Sequence, residues 1–162
     1  MTDRQLEIRK LASLPSYMVE LEALTGRSVS ADALLSVHET ILLRDKLKQI
    51  PKEQVVRACI PFEALKSRAF TLMLDRLNTL NASPVALWLP KSSDCGLLQL
   101  PSIKEINFGF SFDLIPEGIL VIATSDGLNR MLLDFSDEED GQRSLEIELH
   151  GPHWAQATPP TC

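Results

Sequence analysis

GILVIATSDGLNRMLLDFSDEEDGQRSLEIELH, Gly118 to His150, holds three apolar or alternating runs separated by two short polar segments. GILVIAT (118–124), RMLLDFS (130–136) and SLEIELH (144–150) have the composition and twofold period of strands. The connecting SDGLN and DEEDGQ are rich in Asp, Gly and Asn and short enough to be hairpin turns, so the three strands are expected to form an antiparallel meander. Upstream, VALWL (85–89) and INFGFSF (106–112) are read as two further strands.

Residues 2 to 82 carry a different period. Thr2 and Gln5 have capping-box spacing, and Leu6, Ile8, Leu11 and Leu14 precede Pro15, which is expected to end a first short helix. A second is expected to begin near Ser16 and stop at Gly26. Ser30 is read as the cap of a third, with Leu34, Val37 and Ile41 on its apolar face, widened by Leu35 and Leu42, and with Leu43 and Leu47 pointing away. Pro51 to Cys59 reads as a fourth helix or, because VVRACI is β-branched, a short strand. FEALKSRAFTLMLDRLNTL (62–80) has the strongest helical repeat, in Leu65, Ala69, Leu72, Met73, Leu77 and Leu80.

A helical half followed by a strand half predicts an α+β fold, with the helices on one face of an antiparallel sheet. At 162 residues a single domain over 1–155 is expected, helical over 2–82 and strand-rich over 84–150, with a flexible tail at 156–162. Composition is close to the globular average, at 44% hydrophobic and 23% charged residues. The longest apolar runs are too short for a transmembrane helix. MTDRQLEIRK lacks the apolar stretch of a signal peptide, so the expected location is the cytoplasm, with no membrane partner.

Charge is unevenly distributed. The net value is −6, and between Asp134 and Glu148 seven acids face one base, Arg143, while the rest of the chain holds fifteen of each sign. With no basic stripe, direct nucleic-acid binding is not expected, because Lys and Arg contacts to phosphate supply most of that affinity.

The concentrated carboxylates invite three chemical readings. A calcium loop with Gly141 at its sixth position would place Ile147 where a bidentate Glu is needed, and strands flank it where helices should. Glu146 and Glu148 alternate with Leu145, Ile147 and Leu149, which puts them on the polar face of a half-buried strand and not in a pocket that would tune a catalytic acid or base. His150 and His153 lack the further Cys or His pair of a zinc site. His38 reads as a histidine at the core or its edge.

SSDCG around Cys95 lacks a nucleophile elbow, and the glycines form no nucleotide-binding loop. Cys59, Cys95 and Cys162 make no disulfide framework or Cys-x-x-Cys motif; Cys59 reads as a small buried hydrophobe and Cys162 as part of the unstructured end. No catalytic residue, metal or cofactor is therefore expected. Trp88 reads as core, and Trp154 either as a lid over the sheet edge or as an exposed contact.

The stretch GILVIATSDGLNRMLLDFSDEEDGQRSLEIELHGPHW (118–154) resembles the small acidic α+β immunity proteins that bacteria pair with contact-dependent or other polymorphic toxins. The resemblance implies a non-enzyme that binds and neutralises a cognate toxin, often a basic nuclease, in the producing cell. The charge count independently selects Asp134, Asp137, Glu138, Glu139, Asp140, Glu146 and Glu148, with Trp154, as the surface for a basic protein partner. A secretion chaperone or adaptor, and an enzyme whose site is not contiguous in sequence, are the alternatives. Monomer and homodimer both stay open.

Overall fold

The computed structural model describes residues 1–115 and 118–160. Its first helix starts with a reciprocal cap: Gln5 N–H donates to the Thr2 hydroxyl at 3.3 Å while Thr2 N–H donates to Gln5 Oε1 at 2.9 Å. Helix α1 (Asp3–Thr25) ends at Gly26 in the left-handed conformation (φ 67°). It runs through Pro15, contrary to expectation. Pro15 lies on the exposed side of the helix, while Tyr17, Leu21 and Leu24 beyond it are fully buried. Burying Leu21 and Leu24, each worth about 1.5–3 kcal/mol, offsets the roughly 3 kcal/mol of a mid-helix proline.

The next helix also departs from its sequence pattern. Ser30 caps only a 3-10 turn, Ala31–Ala33. Leu34 then bridges Leu98, and Leu35 N–H donates to Leu97 O at 2.8 Å. This strand-like pairing delays α2 (Val37–Leu47), which Ser36 and Glu39 cap reciprocally. Its buried side is Thr40, Leu43 and Leu47, whereas Ile41 and Leu42 are exposed and so is His38. The expected face was therefore reversed.

Of the two readings at Pro51 to Cys59 the strand is found: β1 (Val55–Pro61) leaves Cys59 exposed, not buried. A 3-10 turn, Phe62–Lys66, precedes α3 (Arg68–Leu80), which Ser67 caps and which buries Phe70, Met73, Leu74 and Leu77. There follow β2 (Val85–Trp88), the single turn α4 (Ser92–Cys95), β3 (Leu98–Leu100), β4 (Ile119–Thr124), β5 (Arg130–Asp137) and β6 (Arg143–His150).

INFGFSF is not a strand. Asn107 ties it to the end of α1, donating its N–H to Leu24 O at 2.7 Å and its side-chain amide to Ala23 O at 3.2 Å. Its burial still alternates, with Ile106, Phe108 and Phe110 inside and Asn107, Gly109 and Ser111 exposed, but rings take the place of a strand partner: Phe108 meets Phe70 edge-on at 4.9 Å, and Phe110 and Phe112 meet Phe62 and Phe135 at 5.2–6.1 Å.

The six strands form one antiparallel sheet in the order β1-β6-β5-β4-β2-β3. The fold is α+β, and β4, β5 and β6 are the expected meander. The main core lies between one sheet face and α1, α3 and the phenylalanine segment. Helix α2 covers part of the opposite face, where Leu43 and Leu47 pack on Ala86, Ala123 and Leu97. Helices therefore occupy both faces, and Trp88 is half-buried at the margin of that second cluster.

Past β6 the chain forms a 3-10 turn, Trp154–Gln156, and buries Ala157 in the main core, so the expected flexible tail is packed over its first residues. Cys162 lies outside the described residues. Among those residues no helix is long and apolar enough to cross a membrane.

Candidate functional site

Strand alternation divides β5 and β6 cleanly. Leu133, Phe135, Leu145, Ile147 and Leu149 are buried in the main core, which forces Leu132, Asp134, Glu146 and Glu148 onto the opposite face. Beyond the area under α2, that face is open. Register places Leu132 between Val121 and Glu148, and Asp134 between Ile119 and Glu146; on the outer side of β6, Arg57 lies opposite Glu148 and Cys59 opposite Glu146. The result is an apolar strip of Ile119, Val121 and Leu132 bordered by carboxylates, with Ile119 41% exposed.

The carboxylates fall into two groups. Glu148 is half-buried and satisfied within the fold, accepting from Arg57 Nε at 2.9 Å and from His150 Nε2 at 2.7 Å. Asp134 and Glu146 are exposed, sit directly opposite each other, and have no ion pair among the described residues. Like charges in that position destabilise a sheet. Arg143, the lone base of the stretch, does not relieve them: its guanidinium lies 4.7 Å over the Phe112 ring and 3.7 Å from Asp113.

Asp137, Glu138, Glu139 and Asp140 are exposed around the hairpin turn. Glu138 N–H donates to Gln142 O, Gly141 N–H donates to Glu138 O, and Asp140 Oδ1 accepts from Gln142 N–H at 2.9 Å. Gly141, at φ 81°, takes the left-handed position that the turn requires. Asp140 therefore shapes the turn, while the Glu138 and Glu139 side chains are free of it.

Trp154 must be removed from the contact surface. It is fully buried in the main core and its indole N–H donates to Leu77 O of α3 at 3.1 Å, so it is a core residue and not an exposed contact. The GPHW segment is shaped by Asn129, also fully buried, whose Oδ1 accepts the backbone N–H groups of His153 and Trp154, both at 3.0 Å. His153 Nδ1 lies 3.2 Å from Asn129 Nδ2, and His150 pairs with Glu148, so the two histidines face different partners. Among the described residues no three His, Cys, Asp or Glu side chains converge as a metal site would need.

The SSDCG loop is a packed corner. Tyr17 OH donates to Gly96 O at 2.6 Å and lies 2.9 Å from Ser92 Oγ, which itself accepts from Leu89 N–H. Burial raises the pKa of both the Tyr17 phenol and the buried Cys95 thiol, which favours a neutral thiol over a nucleophilic thiolate.

Arg57, Ile119, Val121 and Leu132 were missed as parts of this face. Arg57 precedes its partner Glu148 by 91 residues, and no local period announces such a contact.

The His150–Glu148 pair carries a pH prediction. Burial lowers the His150 pKa below 6.5, with Arg130 adding to the effect, although the Glu148 hydrogen bond opposes it. Burial would raise Glu148, but hydrogen bonds from Arg57 and His150 hold it below 4.5. Both folded pKa values are depressed, so the unfolded chain binds protons more readily. The stability contribution from His150 is complete above its unfolded value and declines as pH falls through the folded one; that of Glu148 follows at lower pH. Urea unfolding of His150→Gln is expected to show a flatter pH dependence on the acid side of neutrality than the parent, and an unchanged slope there would refute this assignment.

No known protein family, curated protein or solved structure matches the chain.

Proposed function

We propose that the chain is a non-enzymatic binding protein that seats a basic protein on the open sheet face and its hairpin. The reading rests above all on the exposed Asp134–Glu146 pair, two like charges set opposite each other beside an apolar strip and, among the described residues, left without a cation. A basic partner would relieve that repulsion, while Ile119, Val121 and Leu132 supply the desolvated centre that a specific interface needs. In the form that the family resemblance implies, the chain is an immunity protein that neutralises a cognate toxin in the cytoplasm. The exposed Ile8, Leu11 and Val19 along α1 favour a second reading, a secretion chaperone or adaptor that works as a homodimer.

Glu146→Lys separates function from folding. It replaces repulsion by attraction across the strands and is expected to raise stability by a few tenths of a kcal/mol, less at high salt. The same change should weaken binding of a basic toxin domain encoded beside this gene by roughly tenfold at low salt, with the difference shrinking as salt is added. Unchanged affinity, measured by calorimetry beside a thermal melt, rules the docking reading out.

A further inference from the structure

Helix α1 carries apolar side chains on both sides. Its inner side is committed to the core through Tyr17, Leu21 and Leu24. On the outer side, at about 100° per residue, Arg4, Ile8, Leu11, Ala12, Pro15, Val19 and Glu22 fall within an arc of about 100°. All are exposed, with Ile8 at 57%, Leu11 at 62% and Val19 at 64%. A contiguous exposed apolar stripe of this kind marks an interaction surface.

The order of residues along this stripe says what covers it. Read from either end toward Ser13, it is self-complementary. Arg4 lies nine positions before that point and Glu22 nine after; Ile8 and Val19 lie five before and six after, and the small Ala12 lies beside the centre. An isologous twofold contact demands this relation, in which residue i meets residue j of the second copy and j meets i. Arg4 has no ion pair among the described residues, and Glu22 uses one carboxylate oxygen for Val29 N–H at 3.3 Å.

We propose that two copies associate through this face, their α1 helices antiparallel about a twofold axis near Ser13. Ile8 then packs on Val19 of the second copy, Ala12 and Leu11 on its Pro15, and Arg4 pairs with its Glu22 at both ends. The contact line is roughly 27 Å long at 1.5 Å per residue. A few apolar side chains with two exposed ion pairs make a small interface, so the dimer is concentration-dependent and weakens with salt. It is independent of what the sheet face binds.

Sedimentation velocity of the full chain, from low micromolar to near-millimolar concentration, tests this. A reversible monomer–dimer equilibrium is expected. Leu11→Asp, at a solvent-exposed position that should leave the helix intact by circular dichroism, is expected to weaken it by roughly tenfold or more. Arg4→Glu and Glu22→Arg should each weaken it by roughly threefold to tenfold, and the double variant carrying both should restore most of the parent affinity. Restoration is the result specific to antiparallel pairing. A chain that stays monomeric throughout, a dimer indifferent to Leu11→Asp, or a double variant no better than the singles overturns the proposal. So does a monomer in which Leu11→Asp instead abolishes binding of the toxin domain, because the stripe would then belong to that partner.

Discussion

Trp154→Ala is expected to lower the unfolding free energy by about 3–5 kcal/mol, the usual cost of truncating a large buried aromatic. Trp154 is the largest fully buried side chain in the described structure and belongs to the main core. Its indole N–H reaches the Leu77 carbonyl near the end of α3, and its backbone N–H is held by Asn129. Truncation therefore opens a cavity and also cuts the tie between the end of the sheet and α3. The Leu77 carbonyl keeps the Asn81 N–H as a donor, so no buried acceptor is orphaned and the loss is mainly one of packing. For a chain of this size each kcal/mol moves the midpoint by about 2–4 °C, which predicts a fall of roughly 6–20 °C. Trp154→Phe retains most of the volume and should cost far less. Urea and thermal unfolding check both, and a Trp154→Ala variant within about 1 kcal/mol of the parent would show that the indole is not a core element.

Reversing Asp134, Glu138 and Glu139 together to lysine is expected to reduce affinity for a basic partner by roughly a hundredfold or more at low salt, through lost attraction and added repulsion. All three side chains are exposed and make no ion pair among the described residues, so the fold should tolerate the change within about 0.5 kcal/mol. Asp140 is left in place because its carboxylate caps the turn. The loss should shrink as ionic strength rises and the Debye length shortens. A salt-independent loss would point to a distorted hairpin, and no loss at all would exclude this hairpin as the docking surface.

The parts of this architecture legible from sequence are those decided by neighbouring residues. The alternation in β5 and β6 assigned each side chain to a face because successive residues of a strand point opposite ways. Thr2, Gln5 and Gly26 marked the ends of α1 because capping is satisfied within a few residues. Pro15 misled for the complementary reason: its local cost is overridden by core burial that only distant elements provide. In α2 the periodic leucines allowed two faces, and the sheet selected Leu43 and Leu47 over Ile41 by offering Ala86 and Ala123 as a close-packing surface. INFGFSF carried a strand's composition but lost that conformation to the ring cluster and to the Asn107 tie.

The candidate site divides in the same way. Its exposed carboxylates followed from charge and alternation, but their energetic roles did not. Whether a carboxylate is neutralised depends on which cation reaches it, and Arg57 arrives at Glu148 only because β1 forms the sheet edge beside β6. Arg143 leaves the hairpin because Phe112 and Asp113 lie nearby in the folded chain. Sequence alone thus determined the α+β class, the meander and the outward direction of Asp134, Glu146 and Glu148, all consequences of period and pleat. Only the tertiary structure decided that Glu148 is satisfied, that Asp134 and Glu146 are left facing each other, and that Trp154 is core. Those outcomes depend on which distant groups the fold brings within a few ångströms, and no short-range pattern in the chain encodes that.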